Sequence, residues 1–216
     1  NKWLTFRGKD LVLISEAGPT ETTIEVWPPG CEEIAMLLRD GETRDAVVEG
    51  FTFRASSDEC GQGILLLCSA TIRNCVFADL VGGYLRGCIE ASVTGTPLIE
   101  DCVIASPGQT GILVEGGAGA EIRNCHIVGC GGGIDGNGDR TITVRDCVIE
   151  GNEYFGISAH RAEIINCLIT RNTGRGLATS FGHIVGCTIT ANGGTQGEGG
   201  LYNAFATRVE NSIIYG

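Results

Sequence analysis

Ile164-Ile165-Asn166-Cys167-Leu168-Ile169 is the stretch of sequence that decides the fold, because close copies of it recur along the chain. Most copies have an aliphatic residue, then Asn or Asp, then Cys, and they close on Ile or Phe. The copies lie at residues 72–77, 99–104, 122–127, 144–149, 184–189 and 209–214. From Cys75 to Ser212 the successive steps are 27, 23, 22, 20, 20 and 25 residues. Self-similarity at such a period indicates a solenoid.

The composition narrows the class of protein. The chain has 216 residues, of which 43% are hydrophobic, so it can bury a large core. Its 34 glycines disfavour helix and are typical of tight turns. The formal net charge is −11 and no Lys/Arg cluster is present, which argues against a nucleic acid partner. No run of eighteen apolar residues exists, so no membrane span is predicted.

Eleven cysteines are many for a chain of this length. Six of them share one position of the repeat: Cys75, Cys102, Cys125, Cys147, Cys167 and Cys187. Shared position favours small side chains that stack in the core over a disulfide framework. No pair of C-x-x-C motifs is present, so zinc is not indicated. We therefore predict a ladder of mostly reduced, buried cysteines.

Alternation within the repeat predicts which side chains face the core. Ile164, Cys167 and Ile169 are predicted to point inward, and Ile165 and Leu168 outward. Asn166 falls at a bend, where Asn tolerates a left-handed backbone. Stacked bends predict a structural ladder of side-chain amides, with the members Asn74, Asn124, Asn166 and Asn211.

A second signature precedes each cysteine by about a dozen residues and consists of Gly followed by an aliphatic residue. It occurs at Gly63, Gly111, Gly133, Gly156, Gly176 and Gly200. Each coil then has three short strands without a helical period, which is typical of a parallel β-helix. The predicted fold is all-β, with about nine coils stacked ~4.8 Å apart.

From Leu4 to Ile214 the chain resembles the right-handed, single-stranded parallel β-helix proteins of the pectate-lyase-like fold. The resemblance implies an exported or otherwise extracytoplasmic protein, with its site on one long outer sheet and the loops beside it. The same repeat serves lyases, hydrolases, epimerases, adhesins and phage spikes, so fold does not decide function. We expect one domain over residues 1–216 and see no polar cap at either end. This predicts an excerpt of a longer chain or end-to-end self-association.

On the sheet of the Gly-aliphatic strands, two positions per coil are predicted to face outward. The first positions are Leu65, Leu113, Asp135, Ser158, Ala178 and Tyr202; the second positions are Leu67, Glu115, Asn137, His160, Ser180 and Ala204. Glu115, Asp135 and His160 fall on three successive coils, ~5 Å apart from one coil to the next.

These residue types suit two kinds of chemistry. Glu115 and Asp135, with Asp139 in the following Gly-rich turn, offer the hard oxygen ligands that Ca²⁺ prefers, or form an acid and base pair. His160 or Tyr202 is suited to removing a proton from a uronic acid ring, with Arg161 or Arg140 neutralising the adjacent carboxylate. Ordinary solvated residues on an exposed sheet explain the same pattern.

No catalytic motif of the resembling enzymes is complete. The Arg-x-Pro-x-x-Arg, Asp-Asp and Asp-Pro-His signatures of lyases, polygalacturonases and epimerases are absent. The sequence therefore favours a module that binds polysaccharide, acidic or neutral, or that displays a surface. The alternative is a polysaccharide lyase, hydrolase or epimerase that uses Glu115, Asp135, His160, Arg161 and Tyr202.

Overall fold

The computed structural model describes residues 3–26, 34–55, 61–80, 87–92, 94–193 and 199–215, although not the side chains at positions 203 and 204. The strands are β1 (Val12–Ile14), β2 (Thr23–Val26), β3 (Ile34–Leu38), β4 (Val47–Glu49), β5 (Thr52–Ala55), β6 (Gln62–Leu66), β7 (Thr71–Arg73), β8 (Val76–Ala78), β9 (Gly87–Ala91), β10 (Leu98–Glu100), β11 (Val103–Ala105), β12 (Thr110–Val114), β13 (Ala120–Arg123), β14 (His126–Val128), β15 (Gly132–Gly136), β16 (Ile142–Arg145), β17 (Val148–Glu150), β18 (Phe155–Ile165), β19 (Leu168–Thr170), β20 (Arg175–Val185), β21 (Thr188–Thr190), β22 (Leu201–Glu210) and β23 (Ile213–Tyr215).

The strands form a parallel β-solenoid. Strands of successive coils pair in parallel. A nine-stranded sheet takes every third strand up to β17 and every second strand after it: β2, β5, β8, β11, β14, β17, β19, β21 and β23. The other strands form a 14-stranded sheet with two rows, joined because β18, β20 and β22 contribute to both rows. The fold class predicted from the sequence is confirmed. The solenoid has about seven turns, a minor difference from the nine coils predicted.

The predicted alternation within the repeat is confirmed. Ile164 and Ile169 are 0% exposed and Cys167 is 2% exposed, whereas Leu168 faces solvent. Asn166 has a φ of 52°, and the equivalent residues of other coils, such as Asn74 and Asp101, also have positive φ. A left-handed residue between two inward positions turns the chain from one sheet into the next.

The asparagine ladder exists, but its buried part lies at a different corner of the coil. The bend asparagines Asn74, Asn124, Asn166 and Asn211 are exposed, and Asn166 donates to Asp146 Oδ1 at 3.3 Å. The buried stack consists of Asn152, Asn172 and Asn192. Each follows the repeat cysteine by five residues. This corner therefore carries the amides that have no access to water.

The cysteine ladder is confirmed. All nine described cysteines are free and buried, and six of them stack at the repeat position. Each of these six thiols donates to the carbonyl two residues earlier, as Cys147 Sγ does to Arg145 O at 3.1 Å. The thiols are thus satisfied by the backbone without disulfide bonds.

The repeated glycines are required by close packing rather than by a turn. A Cβ on Gly133 would lie 2.2 Å from the carbonyl oxygen of Gly156 and 2.7 Å from Ile149 Cγ2. No side chain fits such a space. The aliphatic residue that follows each glycine points into the core, as Ile134 and Ile157 do at 0% exposure. These buried aliphatic residues fix the orientation of the outward side chains that follow them in each strand.

Candidate functional site

A row of outward residues runs along the solenoid in direct register. We call it the outer row; its members, one per coil, are Leu65, Glu90, Leu113, Asp135, Ser158, Ala178 and Tyr202. Adjacent members lie one strand spacing apart, ~4.8 Å. Glu90 and Leu113 are buried at 8% and 3% exposure, whereas Ser158 and Ala178 are partly exposed and Tyr202 is exposed. The face is therefore covered over the earlier coils and open over the later ones.

An open pocket of ≈ 180 Å³ occupies the exposed part of the outer row. Small side chains from Ser158, Ala178 and Ser180 leave this space, and Tyr202 bounds it. The full lining is Asn137, Ser158, Ala159, His160, Arg175, Ala178, Thr179, Ser180 and Tyr202. Hydroxyl, amide, imidazole and guanidinium groups thus surround a floor of small residues, and none of the lining residues is acidic.

Two contacts between an arginine and an aromatic ring flank the pocket. Arg175 Cζ lies 4.1 Å from the centroid of the Tyr202 ring. Next to the lining residues His160 and Ser180 in the chain, Arg161 Cζ lies 4.8 Å from the centroid of Phe181. Stacking on a ring orients each guanidinium while its N–H groups keep their hydrogen-bonding capacity.

Three rings follow one another along the solenoid beside the pocket. His160 meets Phe181 edge to face at 5.4 Å, and Phe181 stacks on Phe205 at 5.9 Å. Phe205 is 77% exposed and Phe181 is 38% exposed. The register between β20 and β22 shifts between Thr179 and Phe181, which places an extra residue of β22 at this point. Exposed apolar surface of this kind is typical of a binding site.

Asp135 lies at the boundary between the covered and the open face. It pairs with Ser158 in register, and Asn137, two residues later, lines the pocket. Its Oδ1 is sealed from solvent and has no hydrogen-bond partner. Burial, and then the nearby charge of Glu115, raises the pKa of the Asp135 carboxyl from 3.8 to about 6. Both causes disfavour the charged form.

The structure brings only some of the predicted site residues together. His160 and Tyr202 line the pocket, Arg161 stands beside it, and Asp135 borders it. Glu115 is exposed just after β12, and Asp139 and Arg140 are exposed in the turn after β15, on the coil of Asp135. The two turns touch, because the backbone N–H of Asp139 donates to Gly116 O at 3.0 Å. The predicted outward side chain of Ala204 lies outside the described residues.

Within the described ranges, no three His, Cys, Asp or Glu side chains gather as a metal-binding group. The Ca²⁺ site predicted from Glu115, Asp135 and Asp139 stays a prediction.

The sequence did not reveal four residues of this region: Arg175, Thr179, Phe181 and Phe205. Arg175 immediately precedes the Gly176-Leu177 signature, so the sequence predicts its position on the strand. The sequence does not predict the contact of its guanidinium with the Tyr202 ring. Thr179 is 4% exposed, and its Oγ1 has no partner. The position of Phe205 depends on the register shift between β20 and β22, which no sequence pattern predicts.

Comparison with known families agrees with this architecture. Residues 62–214 match the model of the right-handed β-helix region. The chain belongs to this right-handed β-helix family. No curated protein and no solved structure matched it. Family membership establishes the solenoid, while the pocket beside His160 and Tyr202 belongs to this chain's own side chains.

The described part of this β-helix protein contains no helix long and apolar enough to cross a membrane.

Proposed function

We propose that this β-helix protein binds polysaccharide in the pocket between His160 and Tyr202. The observation that carries the proposal is the pocket itself, in which polar side chains surround a floor of small residues between the partly exposed His160 imidazole and the exposed Tyr202 ring. Sugars offer hydroxyls to such polar groups and apolar ring faces to aromatic side chains. Concave sites with a few convergent polar groups are the usual form of a small-ligand site.

The basic side chains at the pocket are suited to both acidic and neutral glycans. His160, Arg161 and Arg175 flank the pocket in a protein whose net charge is −11. Guanidinium groups donate to carboxylates and to hydroxyls. The proposal therefore includes both ligand classes, and a panel of both kinds is needed.

The binding test uses a microarray of immobilised neutral, amino and uronic oligosaccharides. We expect the wild type to bind a subset of them and Tyr202→Ala to lose about tenfold in affinity, because a sugar that covers the exposed Tyr202 ring removes apolar surface from water and tenfold corresponds to about 1.4 kcal/mol. Tyr154→Ala is the matched control, because Tyr154 is similarly exposed, 47% against 43%, and does not line the pocket. Wild-type protein that binds no glycan overturns the proposal and leaves surface display as the remaining role.

The second candidate function is a polysaccharide lyase, hydrolase or epimerase at the same place. One observation favours it: His160 lines the pocket, and Asp135 beside it has a pKa raised to about 6, which is the range of a general acid or base. In this mechanism His160 or Tyr202 exchanges a proton with the sugar ring, and Arg161 neutralises an adjacent carboxylate.

Catalysis is tested by incubation with the same polysaccharides, followed by reducing-end and unsaturated-product assays. Turnover that disappears in His160→Ala supports the enzyme. Binding without turnover supports the binding module.

We also propose an extracytoplasmic location, on the resemblance to pectate-lyase-like proteins alone; fractionation of cells that express the native gene tests it. End-to-end self-association stays a prediction as well, and sedimentation velocity over a concentration series tests it.

A further inference from the structure

Asn137 lines the pocket and is followed by Gly138 in the turn after β15. Asn is a chemically labile residue, and it is most labile before glycine, which has no side chain to hinder attack by its own backbone nitrogen. The chain has two such pairs, Asn137-Gly138 and Asn192-Gly193. Because the two pairs share a sequence and differ in their surroundings, comparing them isolates the effect of the fold.

The Asn137 pair is open to reaction. The Asn137 side chain is exposed to solvent. Among the hydrogen bonds of the described residues, none involves the Asn137 amide or the backbone N–H of Gly138. A Cβ on Gly138 would lie 2.8 Å from Ala118 O, so the turn is packed against its neighbour. This packing makes the pair react more slowly than in an unfolded chain, but it does not occupy either reacting group.

The Asn192 pair is closed to reaction. Asn192 is 4% exposed, and its Oδ1 accepts from the backbone N–H and from Nδ2 of Asn172 at 3.0 and 2.8 Å. Its Nδ2 donates to Ile169 O at 2.9 Å, and the backbone N–H of Gly193 donates to Asn172 O at 3.1 Å. Attack on this side chain therefore requires the buried amide ladder to open first.

We propose that Asn137 is a site of spontaneous deamidation, which places a carboxylate in the lining of the pocket. The backbone nitrogen of Gly138 attacks Cγ of Asn137 and gives up its proton, and the side-chain nitrogen leaves as ammonia. Water then opens the cyclic imide. Attack of water at Cγ leaves aspartate, and attack at the main-chain carbonyl leaves isoaspartate. The net reaction consumes one water and releases one ammonia, without an oxidant or a metal.

A carboxylate at position 137 changes the charge of the pocket, whose lining otherwise contains no acidic residue. Asp135 lies two residues earlier on the same strand, ~7 Å away, so the new charge adds to an existing one. Two like charges repel the carboxylate of an acidic sugar and leave a neutral sugar unaffected. This consequence for binding rests on the proposed function, whereas the deamidation itself does not.

The test is a time course of the folded protein at pH 7.5, followed by proteolysis and mass spectrometry of the two Asn-Gly peptides. A sample taken at time zero is subtracted, because proteolysis itself deamidates such pairs. We expect Asn137 to convert about tenfold or more faster than Asn192, since opening the buried ladder costs several hydrogen bonds. In urea both pairs should convert at similar rates. Asn137→Gln, whose longer side chain closes the imide ring slowly, is expected to stop the change in its peptide.

Equal rates of conversion of Asn137 and Asn192 in the folded protein would overturn the inference. The effect on binding is measured on the glycan microarray with Asn137→Asp, which we expect to weaken binding of uronic oligosaccharides about tenfold and to leave neutral ones unchanged. Asn74→Asp is the matched control, since it adds the same charge at an exposed bend where the next coil already carries Asp101.

Unchanged binding of uronic oligosaccharides by Asn137→Asp refutes the effect on the pocket while the deamidation stands. A wild type that binds no glycan removes the proposed function and leaves the mass-spectrometric comparison of the two pairs to decide the deamidation alone.

Discussion

The side-chain amide of Asn172 lies between two other buried amides. It accepts a hydrogen bond from Asn152 Nδ2 at 2.8 Å and donates one to Asn192 Oδ1 at 2.8 Å. Its Oδ1 also accepts from the backbone N–H of Asn152 at 3.0 Å. All three residues are 4% exposed or less. The ladder thus satisfies backbone and side-chain groups that water does not reach.

Asn172→Ala is expected to lower the free energy of unfolding by about 3 kcal/mol, because it leaves buried donors of Asn152 unpaired. Urea denaturation measures the change. Asn166→Gly is the matched control at the exposed bend; its φ of 52° suits glycine, so we expect a change within about 0.5 kcal/mol. Equal effects of the two substitutions would contradict the distinction between the buried ladder and the bend row.

The scaffold was predictable because its constraints are periodic. The cysteine position, the left-handed bend and the inward isoleucines repeat every 20 to 27 residues, and each repeat shows the same pattern. The buried asparagines were equally periodic, five residues after Cys147, Cys167 and Cys187. They were missed because Asn at a bend has a simpler explanation, namely backbone conformation.

The candidate site was only partly predictable, because it depends on departures from the repeat. Alternation correctly put His160 and Tyr202 on the outer face. It did not show that Glu90 belongs to the outer row, because Cys88 replaces the usual glycine of that coil. It also did not predict the shift that brings Phe205 against Phe181. The register of Glu90 and the contact between Phe205 and Phe181 depend on how neighbouring coils pair, so the sequence of a single coil does not predict them.

The repeat glycines give a sharp test of the packing. Gly133→Ala is expected to destabilise the protein by about 3 kcal/mol, because the new Cβ would overlap the Gly156 carbonyl oxygen at 2.2 Å. Gly193→Ala is the control, since a Cβ there meets nothing within 4 Å; we expect a change within about 1 kcal/mol. Thermal unfolding of both variants decides, and a Gly133→Ala protein as stable as wild type would contradict the close approach of the coils.

The cysteine ladder is expected to be chemically inert in the folded protein. Burial raises the pKa of Cys75 to about 11, and the hydrogen bond with Cys125 raises the pKa of Cys147 to about 12. Because the thiolate is the reactive species, these raised pKa values reduce its amount about a hundredfold for Cys75 and about a thousandfold for Cys147, and burial limits access further. Iodoacetamide at pH 7.5, followed by mass spectrometry, is expected to label Cys75 and Cys147 only as fast as the protein unfolds.

Labelling in urea is the control for this experiment, and there every cysteine should react. Cys31 and Cys60 lie outside the described residues and are replaced by serine beforehand, so that the signal comes from the buried thiols alone. Rapid labelling of Cys147 without unfolding would show that the ladder opens locally.

Asp135 predicts an unusual dependence of stability on pH. Its pKa in the folded protein is raised to about 6, above the 3.8 of an ordinary Asp, so between these values the folded state holds more protons than the unfolded state. Stability therefore falls as the pH rises from about 4 through 6, and the full cost remains above that range. A rise of about two in the pKa corresponds to a loss of about 3 kcal/mol in the free energy of unfolding. Because Asp135 is partly exposed to solvent, we expect a loss of about 1 kcal/mol.

Asp135→Asn removes this titration. We expect its stability relative to wild type to be about 1 kcal/mol more favourable at pH 7.5 than at pH 4. Urea denaturation at the two pH values measures it. Equal stability of the variant relative to wild type at the two pH values would contradict the raised pKa of Asp135.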